Sequence, residues 1–227
     1  MIENIRIMLS ENADLQYKSF HQSLVPGLES MIGVRIPKLR EIARWTSKQN
    51  WQPIWEELSK ECYEELMIRG MLIGYSKLSQ KEQTEYLKRF VPLINNWAIC
   101  DCCCSTWKFM KKDQDYWFSF LKPYFSSIYE FQVRFAVVAL LDYFVEEKYL
   151  QEIFSVFDNI QQHDYYVQMA IAWAVSVCFV KYPRETESYL RSNHLDDFTQ
   201  NKAIQKIRES NRVSREGKEE VLTWKRS

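Results

Sequence analysis

Gln132-Val133-Arg134-Phe135-Ala136-Val137-Val138 is a short apolar run interrupted by one arginine. The same kind of run occurs as Met67-Ile68-Arg69-Gly70-Met71-Leu72-Ile73 and as Gln168-Met169-Ala170-Ile171-Ala172-Trp173-Ala174. Aligning Arg69, Arg134 and Ala170 lets Asp101 fall between the first two, with steps of 32, 33 and 36 residues. A period of 30 to 40 residues with two helices per unit is the pattern of an α-solenoid, in which each unit buries its apolar face only against its neighbours. The reading is therefore all-α, with a single domain over residues 1–227 and the second helices of the pairs lining a concave face.

The rest of the chain agrees with helices. Only five glycines and six prolines punctuate 227 residues, and no stretch alternates apolar and polar residues between turn signals as a strand does. One or two amphipathic helices are predicted over 2–25, with Ile5, Met8, Leu9, Leu15, Phe20 and Leu24 facing inward and Pro26-Gly27 ending them. Gly33 permits a turn and Pro37 suits a helix start. After them Leu39, Ile42, Ala43 and Trp45 make an apolar stripe. Ser79 and Glu82 are spaced as a capping box. Further helices are predicted at 95–111, 114–126, 129–145, 147–160, 164–181, 184–193, 198–210 and 214–224. The chain is read as HEAT-like helix pairs.

Formal charge is zero, from 30 basic and 30 acidic residues, which argues against a basic nucleic-acid binder over its whole surface. Charge is nevertheless segregated. Residues 33–50 carry five basic side chains against Glu41, and from Lys202 onward eight basic residues stand against four acidic ones. Glu56, Glu57, Glu61, Glu64 and Glu65 form an acidic block with only Lys60 opposing. These blocks fit either a polarised surface or ordinary solvated helix faces. Four of the six cysteines lie within 100–104. Such neighbours on a helix rarely bridge each other, no secretory leader is visible, and a reducing cytoplasm is the default. No apolar run reaches the ~18 residues of a membrane span. The three histidines show no spacing that would join the cysteines in a metal site, so no metal is expected.

Trp97 precedes Asp101 by four residues, which puts both on one helix face. A lone carboxylate in an apolar segment is costly unless paired or used. Tryptophan faces hold cations, a carboxylate stabilises developing positive charge, and an arginine forks onto phosphate. Trp97, Asp101, Arg134 and Trp173 together suit a cationic alkylated purine nucleotide, whose glycosidic bond breaks through an oxocarbenium-like sugar. The same residues also suit plain packing, since tryptophans at helical spacing are commonly core.

Gly33-Val34-Arg35-Ile36-Pro37-Lys38-Leu39-Arg40, the Trp97–Asp101 pair, Gln132 to Ala136, Gln168 to Trp173 and Asn201 to Ile207 together resemble the AlkD-type DNA alkylation repair family, HEAT-like-repeat DNA glycosylases. The resemblance implies Asp101 as the catalytic carboxylate and Trp97 and Trp173 as the aromatic pair against the lesion's deoxyribose. It implies Arg134 as a contact to the DNA backbone. Arg35 and Lys38, near a helix start, and Lys202 and Lys206 join it as DNA-binding candidates. The implied activity is excision of N3- and N7-alkylated purines from duplex DNA without base flipping and without a cofactor, by a monomer in the bacterial cytoplasm. One turn after Trp173, where the family pattern has an arginine, this chain has Ser176. Two other readings stand beside the glycosylase. One is a catalytically silent DNA-binding solenoid. The other is a protein–protein scaffold, which the zero net charge favours.

Overall fold

The computed structural model describes residues 1–25 and 27–227, and the helix break assigned to Pro26 lies outside them. The described residues are helical, with no strand among them, and they group into two packing units, Met1–Phe109 and Met110–Ser227. A short 3-10 turn, Lys108–Lys111, spans that division.

Unit 1 holds α1 (Ile2–Glu11), α2 (Leu15–Leu24), α3 (Ile36–Thr46), α4 (Trp51–Glu57), α5 (Tyr63–Tyr75), α6 (Gln80–Phe90) and α7 (Trp97–Cys104). Within it α5 packs between α3 and α7. Nearly all of α5 is buried, because apolar residues surround the helix instead of forming one stripe. Gly70 and Gly74 let α7 come close. A Cβ at Gly70 would stand 2.3 Å from Cys103 Sγ, and one at Gly74 would stand 2.5 Å from the Thr106 carbonyl. The cysteine run thus supplies small side chains where two backbones approach. Both bonds of the Ser79–Glu82 capping box are present at the start of α6.

The turn before α3 is held from a distance. Gly33 adopts φ +108°, and a Cβ there would meet the Asp14 carbonyl at 2.7 Å, so a side chain is excluded on both counts. The Glu64 carboxylate, wholly buried at the start of α5, accepts the backbone N–H groups of Ile32 (2.9 Å), Gly33 (2.7 Å) and Val34 (3.1 Å). Its neighbour Glu65 is also buried and accepts from Arg6 Nε and the Ser59 N–H. Two members of the acidic block, which fits either a polarised surface or solvated helix faces in the sequence, are therefore interior groups that accept from donors folding brings to them.

Other expectations also shift. Ile5 and Leu9 are buried, but Leu15, Phe20 and Leu24 are exposed, as is Trp45 at the end of the α3 stripe. Helix α2 buries His21 instead. The single helix predicted over 95–111 ends at Cys104. There Ser105 Oγ and Thr106 Oγ1 donate to the carbonyls of Cys102 (2.8 Å) and Cys103 (2.7 Å), and such local side-chain bonds compete with helix continuation.

Unit 2 holds α8 (Gln114–Leu121), α9 (Glu130–Tyr143), α10 (Glu147–Asn159), α11 (Tyr165–Lys181), α12 (Pro183–Arg191), α13 (Asp197–Glu209) and α14 (Arg215–Glu220). Here α11 packs between α9 and α13. Like α5, α9 and α11 are apolar nearly all round, whereas α10 and α12 carry one apolar stripe and stay half exposed. No helix of the described residues is long and apolar enough to cross a membrane.

Candidate functional site

The Asp101 segment is positioned from both ends. Asn96 caps α7, its Oδ1 accepting the Ile99 N–H at 3.0 Å. Trp97 follows, and its indole Nε1 donates to the Leu24 carbonyl at the end of α2 (3.2 Å). The ring lies 6.3 Å from the His21 ring, centre to centre. His21 in turn sits between two phenols, with Nε2 2.9 Å from Tyr63 Oη and Nδ1 3.5 Å from Tyr17 Oη. At the other end, Arg40 of α3 donates to Ser105 Oγ (2.8 Å) and the Cys102 carbonyl (3.4 Å), and also to Tyr75 Oη (3.1 Å). A cation at a helix C-terminus complements the carbonyls gathered there. Arg40 enters the sequence reading in the basic block of 33–50 and at the end of the Gly33–Arg40 motif; nothing local marks it as the clamp on α7.

Asp101 is half-buried on this clamped helix, one turn from the anchored Trp97. That partial exposure distinguishes it from the positions aligned with it in the sequence. Arg69 is 1% exposed, Arg134 6% and Ala170 fully buried. At Arg69 the guanidinium donates to the Leu58 carbonyl (2.7 Å) and lies 3.9 Å from the Trp55 ring centre. At Arg134 it donates to the Tyr166 carbonyl (2.7 Å). Three of the four aligned positions are thus buried. Arg134, expected as a contact to the DNA backbone, has its visible bond inside unit 2, where it ties α9 to α11. The all-round apolar character of those helices accounts for its burial.

Burial sets the thiols beside Asp101. It pushes the Cys102 thiol up to about 11 despite nearby Arg40, and raises Cys103 well above the usual thiol value. Cys103 instead packs on α5, donating weakly to the Met67 carbonyl at 3.5 Å. These are packed thiols, poor in thiolate near neutral pH. Burial also lowers the His21 pKa below the ordinary histidine value, against the nearby Glu64 carboxylate, and raises that of Tyr63.

The cations expected to meet DNA in unit 1 are already paired. Arg35 precedes α3 and binds Asp14 Oδ2 at 2.8 Å, with Tyr17 5.0 Å from its guanidinium carbon. Lys38 binds Glu41 at 2.9 Å. In unit 2, Trp173 is half-buried on α11 and lines a cleft of about 340 Å³ together with Lys206 of α13. Lys202, one turn before Lys206, belongs to a different and larger cleft, about 700 Å³, shared with Arg208 and Lys225. Trp97 and Asp101 thus stand one turn apart on α7, Trp173 and Lys206 line one cleft, and Lys202, one turn before Lys206 on α13, lines the neighbouring one. Arg212 also lines the Trp173 cleft. It lies on the loop after α13, and its place beside Trp173 follows from packing that no spacing discloses.

Among the described residues the chain is all-helical, and it carries a half-buried carboxylate one turn from an anchored tryptophan. A family model described as DNA alkylation repair enzyme matches residues 5–207. The chain belongs to that DNA alkylation repair family, whose members act on DNA as repair enzymes. No curated protein matches it.

Proposed function

We propose that the chain is a DNA glycosylase that hydrolyses the N-glycosidic bond of cationic N3- or N7-alkylated purines in duplex DNA, leaving the lesion in the stack. One observation carries this reading: Asp101 is half-exposed one turn from an anchored tryptophan, where the equivalent positions are buried. Family membership supports it. Each unit's row of helices is read as a run of HEAT-like pairs.

Alkylation puts the positive charge on the purine, so the base leaves without being protonated. The C1′–N bond breaks with its electron pair going to the purine, which becomes neutral. Positive charge then develops on the sugar. The Asp101 carboxylate stabilises it and orients a water for attack at C1′. Water's oxygen bonds to C1′, its proton passes through Asp101 to solvent, and an abasic site remains. The face of Trp97 adds attraction for the cationic sugar, about 0.5–2 kcal/mol depending on desolvation. Because the reacting atom is on the sugar, the base need not be extruded, unlike the usual case for base chemistry. Trp173 is assigned the corresponding contact to the sugar–phosphate strand from its own cleft. Arg35, Lys38, Lys202 and Lys206 are assigned phosphate contacts. Exchanging an exposed ion pair for a phosphate costs little, since such pairs contribute about 0–1 kcal/mol.

The test is base release from a duplex carrying one 7-methylguanine under single-turnover conditions. We expect release, and a loss of about 10²–10³-fold in Asp101→Asn, comparable to removing one preorganised transition-state stabiliser. An unchanged rate in that variant removes Asp101 from the mechanism. Salt-sensitive binding without release marks a silent DNA-binding protein, and no salt-sensitive binding at all marks a scaffold.

A further inference from the structure

The Trp173 cleft carries more charge than the assigned residues account for. Three cations line it, Lys181, Lys206 and Arg212, against one carboxylate, Glu209. Two of these four are spoken for: Lys181 Nζ donates to the Val145 carbonyl (3.2 Å), and Glu209 accepts from Gln205 Nε2 (2.8 Å). The side chains of Lys206 and Arg212 make no hydrogen bond or ion pair among the described residues. Arg212 is exposed, but its backbone is fixed, its N–H donating to Ser210 Oγ at 3.2 Å in the loop after α13. Beside Trp173, Ser176 is buried with its hydroxyl turned back onto the Trp173 carbonyl (2.7 Å). That small, self-satisfied side chain leaves the space open.

We infer that this cleft is a phosphodiester subsite in which Arg212 and Lys206 together hold the DNA phosphate next to the sugar packed on Trp173. The inference rests on the DNA reading above and extends it to a residue that lies beyond the family match, which ends at 207. The chemistry fits both cations. A guanidinium presents a planar fork to two phosphate oxygens, and an ammonium adds a point charge. Two cations already committed to protein partners would suit a structural role; these two are uncommitted, as counterion-replacing groups are. The half-buried indole supplies the apolar face for the adjoining deoxyribose.

The experiment measures duplex affinity by fluorescence anisotropy between 50 and 300 mM salt for the full chain, for Arg212→Ala, Lys206→Ala and Arg212→Lys, and for Lys88→Ala as a remote control. For each alanine variant at the cleft, the slope of log K against log salt should fall by about one in magnitude. Arg212→Lys should keep the slope, Lys88→Ala should match the parent, and melting temperatures should stay put because neither cleft side chain makes a hydrogen bond or ion pair among the described residues. If the parent binds with a salt slope that Arg212→Ala leaves unchanged, the subsite is wrong while the DNA reading survives. If the parent shows no salt slope, the DNA reading fails and takes the subsite with it.

Discussion

The two packing units use charge in opposite ways. In unit 1 the charged groups around the candidate site are committed to protein partners. Glu64 holds the turn before α3, Arg40 holds the end of α7, Arg35 pairs with Asp14 and Lys38 with Glu41. In unit 2, Lys206 and Arg212 stand beside Trp173 without such partners among the described residues. Committed charges build geometry, and geometry is what the role proposed for Asp101 needs. Uncommitted cations suit a polyanion, whose condensed counterions they displace. On this view unit 1 supplies the chemistry and unit 2 supplies much of the grip, although the chain as a whole is neutral.

The contrast is broken most directly at Glu64. Its carboxylate satisfies three backbone N–H groups in a turn that also contains the left-handed Gly33. Glu64→Ala leaves buried donors unpaired, and each bond to a charged acceptor is worth about 1.5–3 kcal/mol. We expect a loss of at least about 3 kcal/mol in denaturant unfolding, with Glu64→Gln milder because its amide oxygen still accepts. A loss below about 1 kcal/mol would mean that the turn holds itself, and that unit 1 is not organised by its interior acids.

Arg134 tests the same contrast from the other side. It is the buried cation of unit 2, and it was the arginine that the sequence pointed to as a DNA contact. Its bond to the Tyr166 carbonyl places it among the structural charges. Arg134→Ala should cost about 1–3 kcal/mol of stability by leaving that carbonyl short of a donor. It should also lower the salt slope of binding less than Arg212→Ala does. The reverse outcome, an unchanged melting temperature with a slope reduced by about one, would return Arg134 to the DNA contacts.

How much of this was legible in the sequence depends on the range of the interaction involved. The helices were legible, because 3.6-residue periodicity and capping residues such as Ser79–Glu82 act within a turn or two. The placing of Trp97 and Asp101 one turn apart on one helix was legible for the same reason: four residues along a helix share a face. Leu15, Phe20 and Leu24 were read as core because an apolar residue in an amphipathic pattern carries no mark of which face finds a partner. The interior place of Glu64 was not legible, because its donors lie about 30 residues away and its acidic block fits a surface on either reading. The cleft that joins Trp173 to Lys206 and Arg212 exists only once α11 packs on α13. Likewise, the burial of Arg134 follows from apolar residues all round its helix, where a repeat register alone suggests a common outward face.

The smallest expected effect concerns the network behind Trp97. His21 is buried between Tyr17 and Tyr63, and desolvation holds its pKa below the ordinary histidine value, with the Glu64 carboxylate opposing the shift. A lowered folded value means that the unfolded chain binds the proton more readily than the folded one. Stability from this source is therefore intact above the unfolded value of about 6.5 and is lost as pH falls through the lower folded value. Other groups titrate in the same range, so the measurement is a difference. Melting temperatures of the parent and of His21→Gln are compared at pH 7.5 and pH 5. The parent should lose more than the variant over this interval, by a few degrees. The quenching of Trp97 by the neighbouring imidazole should change over the same interval only in the parent. Parallel losses in the two proteins would show that His21 is protonated without penalty. The anchor of Trp97 would then rest on the Leu24 carbonyl alone, and the charge-committed character of unit 1 would stop short of its aromatic wall.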